Sequence, residues 1–284
     1  MGNLAFVVFK PDLVYQGLQQ SVLEFLAKQG AELLLYKAGF ITTEKRMRLY
    51  PDHQQIGQTN WDLGGRLYDL GPARFLVMRG HGNGTSDDFA TYLSTSMKGH
   101  FVPGRASIKT IRGGFNAINP VFNLVHMSDT EEQALQEAGI FFDADELQRC
   151  FNVVDVPRVS VPVKSQPRPM SVSRLFFFVL DTVLSSNRLS QVKNPGKPMP
   201  AQRLQGARRG ERNQRFIGVL GQIRKELGSS PVHECVEIML DYKNYRNVEF
   251  SELREQLTGL GVYLGEWDWY LLETTMYYFN FEPA

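Results

Sequence analysis

Apolar and polar positions switch between two periods along the 284-residue chain. "LAFVVFK" (4–10) is an unbroken run of β-branched and aromatic residues, which predicts a short buried strand. Pro11-Asp12 follows as a turn signal. From 17 to 29, Leu18, Val22, Leu23 and Leu26 recur at helical spacing, and Gly30 stops the helix. "AELLLYKAGFIT" (31–42) predicts a second strand. "TEKRMRLY" (43–50) predicts a short helix capped by Thr42 or Thr43. Residues 60–70 predict another helix, closed by Gly71-Pro72. "ARFLVMRG" (73–80) reads as a third strand, "TSDDFATYLSTSMKG" (85–99) as a capped helix, and 99–117 as a Gly- and Ser-containing loop. "PVFNLVH" (120–126) predicts the fourth strand. "SDTEEQALQEAGIFF" (128–142) predicts a helix that begins at Ser128 with acids in its first turn.

Two helices interleaved among four strands predict an α+β fold, a ferredoxin-like α/β sandwich with a four-stranded antiparallel sheet. No internal repeat is visible. Proline recurs through "VDVPRVSVPVKSQPRPMSVS" (154–173), which predicts an extended linker. Beyond it, 174–192 predicts a helix. Residues 193–214 are polar and rich in Pro, Gly and Arg, a loop or disordered stretch. Residues 215–228, 230–243 and 249–280 predict mainly helix. The expected organisation is one domain at 1–153, a linker at 154–173 and a smaller, mostly α domain at 174–284.

The length suits two domains, with enough apolar residues for a sizeable core. Two cysteines, Cys150 and Cys235, make no disulfide framework and point to a reducing compartment. The apolar run at the start is short, with no basic region and no cleavage pattern, so no leader is expected. Gly2 does not make a myristoylation site, because Phe6 stands where Ser or Thr is required. "LFFFVLDTVL" (175–184) is too short to span a bilayer and carries Asp181. A cytoplasmic protein with no membrane partner is expected.

The formal net charge of +1 hides an asymmetry. Residues 155–225 carry 14 basic and 3 acidic side chains, and residues 226–284 carry 3 basic and 11 acidic. These blocks either pair with each other or are two separately solvated faces. "RLQGARRGERNQR" (203–215) is either a patch for nucleic acid or another acidic partner, or a solvated basic loop. Only Phe216 adjoins it, so base stacking is not expected. The aromatic-rich end at 263–281 reads as packing surface.

Several short motifs fall in a fixed order: "KPD" (10–12) and then Gly17, "LYPDH" (49–53), "LGPARFLVM" (70–78), "KTIRGGF" (109–115) and "NLVHMSDT" (123–130). Together they resemble the nucleoside diphosphate kinase family over roughly residues 3–146. The resemblance implies ping-pong chemistry: a triphosphate such as ATP or GTP, with Mg²⁺, gives its γ-phosphoryl to a histidine, and a diphosphate takes it. It implies that His126 is the nucleophile. Glu137 would hold its other ring nitrogen, and Ser128 would brace Glu137 and cap the helix. Lys10 and Arg112 would meet phosphate oxygens. Asn123 would face the sugar hydroxyl from the same strand as His126, and Tyr50 would lie near the reacting phosphate. Mg²⁺ would be held mainly by the phosphates, with no protein ligand set of its own. Nucleoside tri- and diphosphates are the implied partners, and a homo-oligomer the implied assembly.

The chain also departs from the family. Aligned on Gly99 and Pro103, Thr95 stands where the family has an arginine and Phe101 where it has a threonine, both phosphate contacts. Lys98, His100, Arg105 and Lys109 are the nearby cations available to substitute. A one-residue insertion falls within 116–120, and Trp61 is the candidate for the family's base-stacking aromatic. Three readings follow: a phosphotransferase working through phospho-His126; a nucleotide-binding scaffold that has lost turnover; or a basic nucleic-acid surface regulated by the N-terminal domain.

Overall fold

In the computed structural model of the protein, the described residues are 3–52, 55, 57–80, 88–152, 168, 170–186, 209–228 and 232–280. The chain divides into two compact units, Met1–Pro169 and Met170–Ala284. The expected linker at 154–173 lies mostly outside the described residues.

The first unit is built on four strands: β1 (Leu4–Phe9), β2 (Ala31–Gly39), β3 (Ala73–Gly80) and β4 (Val125–Met127). Their order is β2-β3-β1-β4 and the three pairings are antiparallel. With the helices between them this is the expected ferredoxin-like sandwich. β1 is flanked on both sides, and Phe6, Val7, Val8 and Phe9 are fully buried, hence an apolar run without alternation. β2 lies at the sheet edge, is partly exposed, and carries an irregularity between Leu33 and Leu35. Phe75 stacks on Phe141 at 3.9 Å, and Phe141 on Phe6 at 5.7 Å, tying the chain after the last sheet helix to the sheet.

Helix α1 (Pro11–Tyr15) begins at the Pro11-Asp12 pair read as a turn. A proline in the first helical turn gives up an N–H that has no intrahelical partner there. α2 (Gln19–Lys28) follows. α3 (Thr43–Leu49) is capped by Thr42, whose hydroxyl accepts from Lys45 N at 3.3 Å. α4 spans Gln58–Asp69. α5 (Phe89–Tyr92) is capped by Asp88 and runs into a π turn, Leu93–Met97. The helix expected over 85–99 is therefore short and changes pitch, and 85–87 lie outside the described residues. α6 (Ile111–Gly114), α7 (Glu131–Ala138) and α8 (Ala144–Asn152) follow.

The fourth strand is shorter than its apolar pattern predicts. Asn119 Oδ1 accepts from Val121 N and Phe122 N, both at 2.9 Å, and Leu124 has φ of 74°, in the left-handed region. These side-chain bonds hold 119–124 in a turn, in competition with a ladder. Asn123 therefore precedes the strand that carries His126.

The second unit is helical in its described residues: α9 (Val172–Ser186), α10 (Arg209–Leu227), α11 (Glu234–Leu240), α12 (Phe250–Gly259) and α13 (Glu266–Tyr277). Phe176, Leu180, Phe216, Met239, Leu257 and Trp269 share its core, and Phe176 meets Phe216 edge-on at 4.9 Å. Trp269 and Met276 place much of the aromatic-rich end in this core. Residues 209–214, expected in a loop, open α10, whereas 193–208 lie outside the described residues. Among the described residues Arg224 of the basic block pairs with Glu237 of the acidic block; both side chains are half exposed, so the pair adds little stability. Among the described residues no helix is long and apolar enough to cross a membrane.

Candidate active site

β4 places His126 opposite Val8 of the buried central strand, which fixes its backbone. The next helix, α7, is pinned to the sheet by its first residue: Glu131 Oε1 accepts from Asn3 N at 2.9 Å and Leu4 N at 3.0 Å. Thr130, not Ser128, is its N-cap, accepting from Gln133 N at 3.2 Å. Ser128 is thus released from capping. It is buried, and its Oγ donates to Glu137 Oε2 at 2.5 Å. His126 Nε2 lies 2.7 Å from the same oxygen. A carboxylate accepts only, so both groups donate to it, and in the neutral imidazole Nε2 carries the ring proton and Nδ1 keeps its lone pair. Among the described residues Glu137 Oε1 is buried with no hydrogen-bond partner.

Tyr50, at the end of α3, packs edge-on to the His126 ring with centroids 5.2 Å apart. Its hydroxyl lies 3.1 Å from that of Tyr68 on α4. Burial pushes the Tyr50 phenol up to about 12, and Tyr68 well above the usual range, so both hydroxyls stay protonated at neutral pH. The sequence offered no signal for Tyr68 beyond a helix position facing the core. Trp61 lies under the Arg46 guanidinium, 3.8 Å from ring centroid to Cζ, so one of its faces is covered by a cation. Gly65 makes this possible: a Cβ there would fall 1.3 Å from Arg46 Nη1.

Lys10 leaves the end of β1 into a buried site, where Nζ donates to Val121 O at 2.6 Å and to Asn123 Oδ1 at 2.7 Å. Asn123 Nδ2 in turn donates to Pro120 O at 2.6 Å. Burial lowers the Lys10 ammonium to about 8; the Asp12 carboxylate opposes this and the Arg112 charge adds to it. Asp12, read in the sequence only as part of a turn, is fully buried, and its Oδ2 accepts from Leu124 N at 2.9 Å. It thereby holds the left-handed residue that joins Asn123 to β4.

Arg112 does not present a bare fork. Its Nε donates to Asn123 O at 3.2 Å, Nη1 to Gly99 O at 3.1 Å and Nη2 to Val125 O at 2.9 Å. Burial lowers its guanidinium to about 10, still charged at neutral pH. Lys98 Nζ donates to Met127 O at 3.3 Å and to Asp129 Oδ1 at 2.9 Å. The alternate carbonyls of residues 123, 125 and 127 are thus covered by two cations: Arg112 takes the two before His126 and Lys98 the one after it. Thr95 is exposed, and its hydroxyl donates to Thr91 O at 2.7 Å. Phe101 stacks on His100 at 5.0 Å.

The first unit is thus a ferredoxin-like domain with a carboxylate-held histidine on β4 and a buried lysine at the end of β1. The family model described as nucleoside diphosphate kinase matches residues 3–147, and the chain belongs to that family. The nucleoside diphosphate kinase of Sulfurisphaera tokodaii is 31% identical over 142 residues, covering 50% of this chain and 90% of that protein. The one from Sulfolobus acidocaldarius is 33% identical over 137 residues, covering 48% and 88%. Among solved structures, a halophilic nucleoside diphosphate kinase from Halobacterium salinarum in complex with CDP is 27% identical. It covers 51% of this chain and 91% of its own, with a TM-score of 0.44.

Proposed function

We propose that the domain at 1–153 is a phosphotransferase that carries the γ-phosphoryl of ATP or GTP on His126 and passes it to a nucleoside diphosphate. The observation that supports this most is the convergence of His126 Nε2 and Ser128 Oγ on Glu137 Oε2, which leaves Nδ1 as the nucleophile. In the first half-reaction the Nδ1 lone pair forms a bond to the γ-phosphorus. The bond from that phosphorus to the β–γ bridging oxygen breaks, and the diphosphate leaves with the electron pair. The imidazole gains positive charge as the N–P bond forms, and the Glu137 carboxylate at Nε2 stabilises it. In the second half-reaction a terminal oxygen of the acceptor diphosphate attacks phosphorus and the N–P bond breaks. Lys10 and Arg112 supply positive charge for the phosphate oxygens, Tyr50 fixes the imidazole ring, and Asn123 offers its amide to the sugar.

Among the described residues no three His, Cys, Asp or Glu side chains come together to hold a metal ion. In the proposed reaction Mg²⁺ enters with the nucleotide, as part of the substrate and bound by its phosphates. Family membership supports a homo-oligomer, and a chain with two cysteines suits the cytoplasm.

A scaffold that binds nucleotide without turnover is the second reading, favoured by Thr95, whose hydroxyl is turned to its own helix. Labelling with γ-phosphate-labelled ATP and Mg²⁺, followed by a chase with nucleoside diphosphates, separates the two. The phosphotransferase gives an acid-labile, alkali-stable label that His126→Ala abolishes and a diphosphate removes. Equal labelling of His126→Ala would sink the assignment. Nucleotide binding by calorimetry with no label would decide for the scaffold.

A further inference from the structure

We infer that Lys98 is a further phosphate-binding cation of this site, beside Lys10 and Arg112, taking over from the arginine that Thr95 replaces. The inference rests on the phosphotransferase reading. Lys98, His100, Arg105 and Lys109 are the basic side chains named above in the segment that follows α5. Arg105 and Lys109 are exposed. His100 is exposed too, and its Nδ1 accepts from Val102 N at 3.0 Å. Lys98 differs: its side chain is only 19% exposed, and its ammonium lies against the carbonyl of Met127, the residue after His126.

The π turn is what brings it there. Lys98 N donates to Leu93 O at 2.8 Å, five residues back, so the helix holds one residue more than an α-helical turn would. Lys98 therefore takes the angular position that residue 97 would hold in an unbroken α-helix. Arg112 N then donates to Lys98 O at 3.1 Å, which fixes the lysine backbone beside the other cation of the site. The side chain is also suited to the task. Its two bonds, to Met127 O and Asp129 Oδ1, use two of the three N–H groups of an ammonium on a flexible four-carbon stem. Asp129 is 68% exposed, so the pair is solvent-screened and easily exchanged for a doubly charged phosphate group. Lys98 thus waits on Asp129 and moves to a phosphate oxygen when a nucleotide binds.

The test compares ADP with adenosine, using Mg²⁺ throughout and the full chain. Lys98→Gln weakens ADP binding about tenfold or more, the loss of one charge-assisted bond, and leaves adenosine binding unchanged. Lys98→Arg stays within a few-fold of wild type for ADP. An unchanged ADP affinity in Lys98→Gln, or equal weakening of ADP and adenosine, would overturn the inference and leave Lys98 a cap on the strand edge. If Lys98→Gln does not fold, Asp129→Asn carries the test. It releases the ammonium, so ADP binds several-fold tighter and adenosine does not; no tightening overturns the inference. A wild-type chain that binds neither ligand and takes no label overturns the phosphotransferase reading itself.

Discussion

Lys10 makes the site sensitive to alkaline pH, in two ways that share one cause. Burial lowers its ammonium from 10.5 to about 8. This lowering disfavours the charged form in the folded state by about 3 kcal/mol. At neutral pH the lysine is charged in both states, and the folded protein carries that cost. Above pH 8 the folded state releases the proton while the unfolded chain keeps it up to about 10.5. The unfolded state then binds more protons, so stability rises with pH across this window. Lys10→Met has no such rise. Urea unfolding of both proteins from pH 7 to 10.5 isolates the effect, because the Tyr50 and Tyr68 contributions cancel in the difference. Phosphate binding runs the other way, since it needs the ammonium. At pH 9 only about a tenth of a lysine of pKa 8 is charged, so ADP binds roughly tenfold more weakly than at pH 7. Binding at pH 9 then takes up close to one proton, measurable by calorimetry in two buffers of different ionisation heat. A flat stability difference together with no proton uptake would refute the placement of Lys10 as a desolvated phosphate ligand.

Glu137→Gln keeps an acceptor for Nε2 and removes the charge that stabilises the phosphorylated imidazole, so rapid-quench labelling of His126 slows roughly ten- to hundredfold. Ser128 and Thr130 separate bracing from capping. Thr130→Ala lowers stability by about 1 kcal/mol with labelling unchanged, whereas Ser128→Ala slows labelling several-fold. Gly65→Ala reverses the usual helix rule. Alanine in a helix normally stabilises by about 1 kcal/mol over glycine, but here the Cβ displaces Arg46 from Trp61, so thermal stability falls and tryptophan fluorescence changes.

The strands and most helices were legible because periodicity reports burial, and in this chain burial decides the layers. β1 is the clearest case: six residues with no alternation, flanked on both sides. The pairing of His126 with Glu137 was legible only through the family's motif order, since nothing in an eleven-residue spacing states that a strand end and a helix face meet. What the sequence left unread lies in bonds from side chains to backbone. Asn119 folds the chain before β4, Asp12 holds the left-handed Leu124, and Arg112 and Lys98 cover the carbonyls around His126. Such bonds have no period and join positions up to 128 apart in sequence. They also explain how a strand of three residues fixes His126, the proposed nucleophile. With one edge of β4 paired to β1 and carbonyls beyond it taken by two cations, His126 is fixed by side chains that are themselves charged. The groups that would order the nucleophile are then the groups that would order the phosphate, so the altered clamp at 95–101 need not be repaired by a new arginine at the old position.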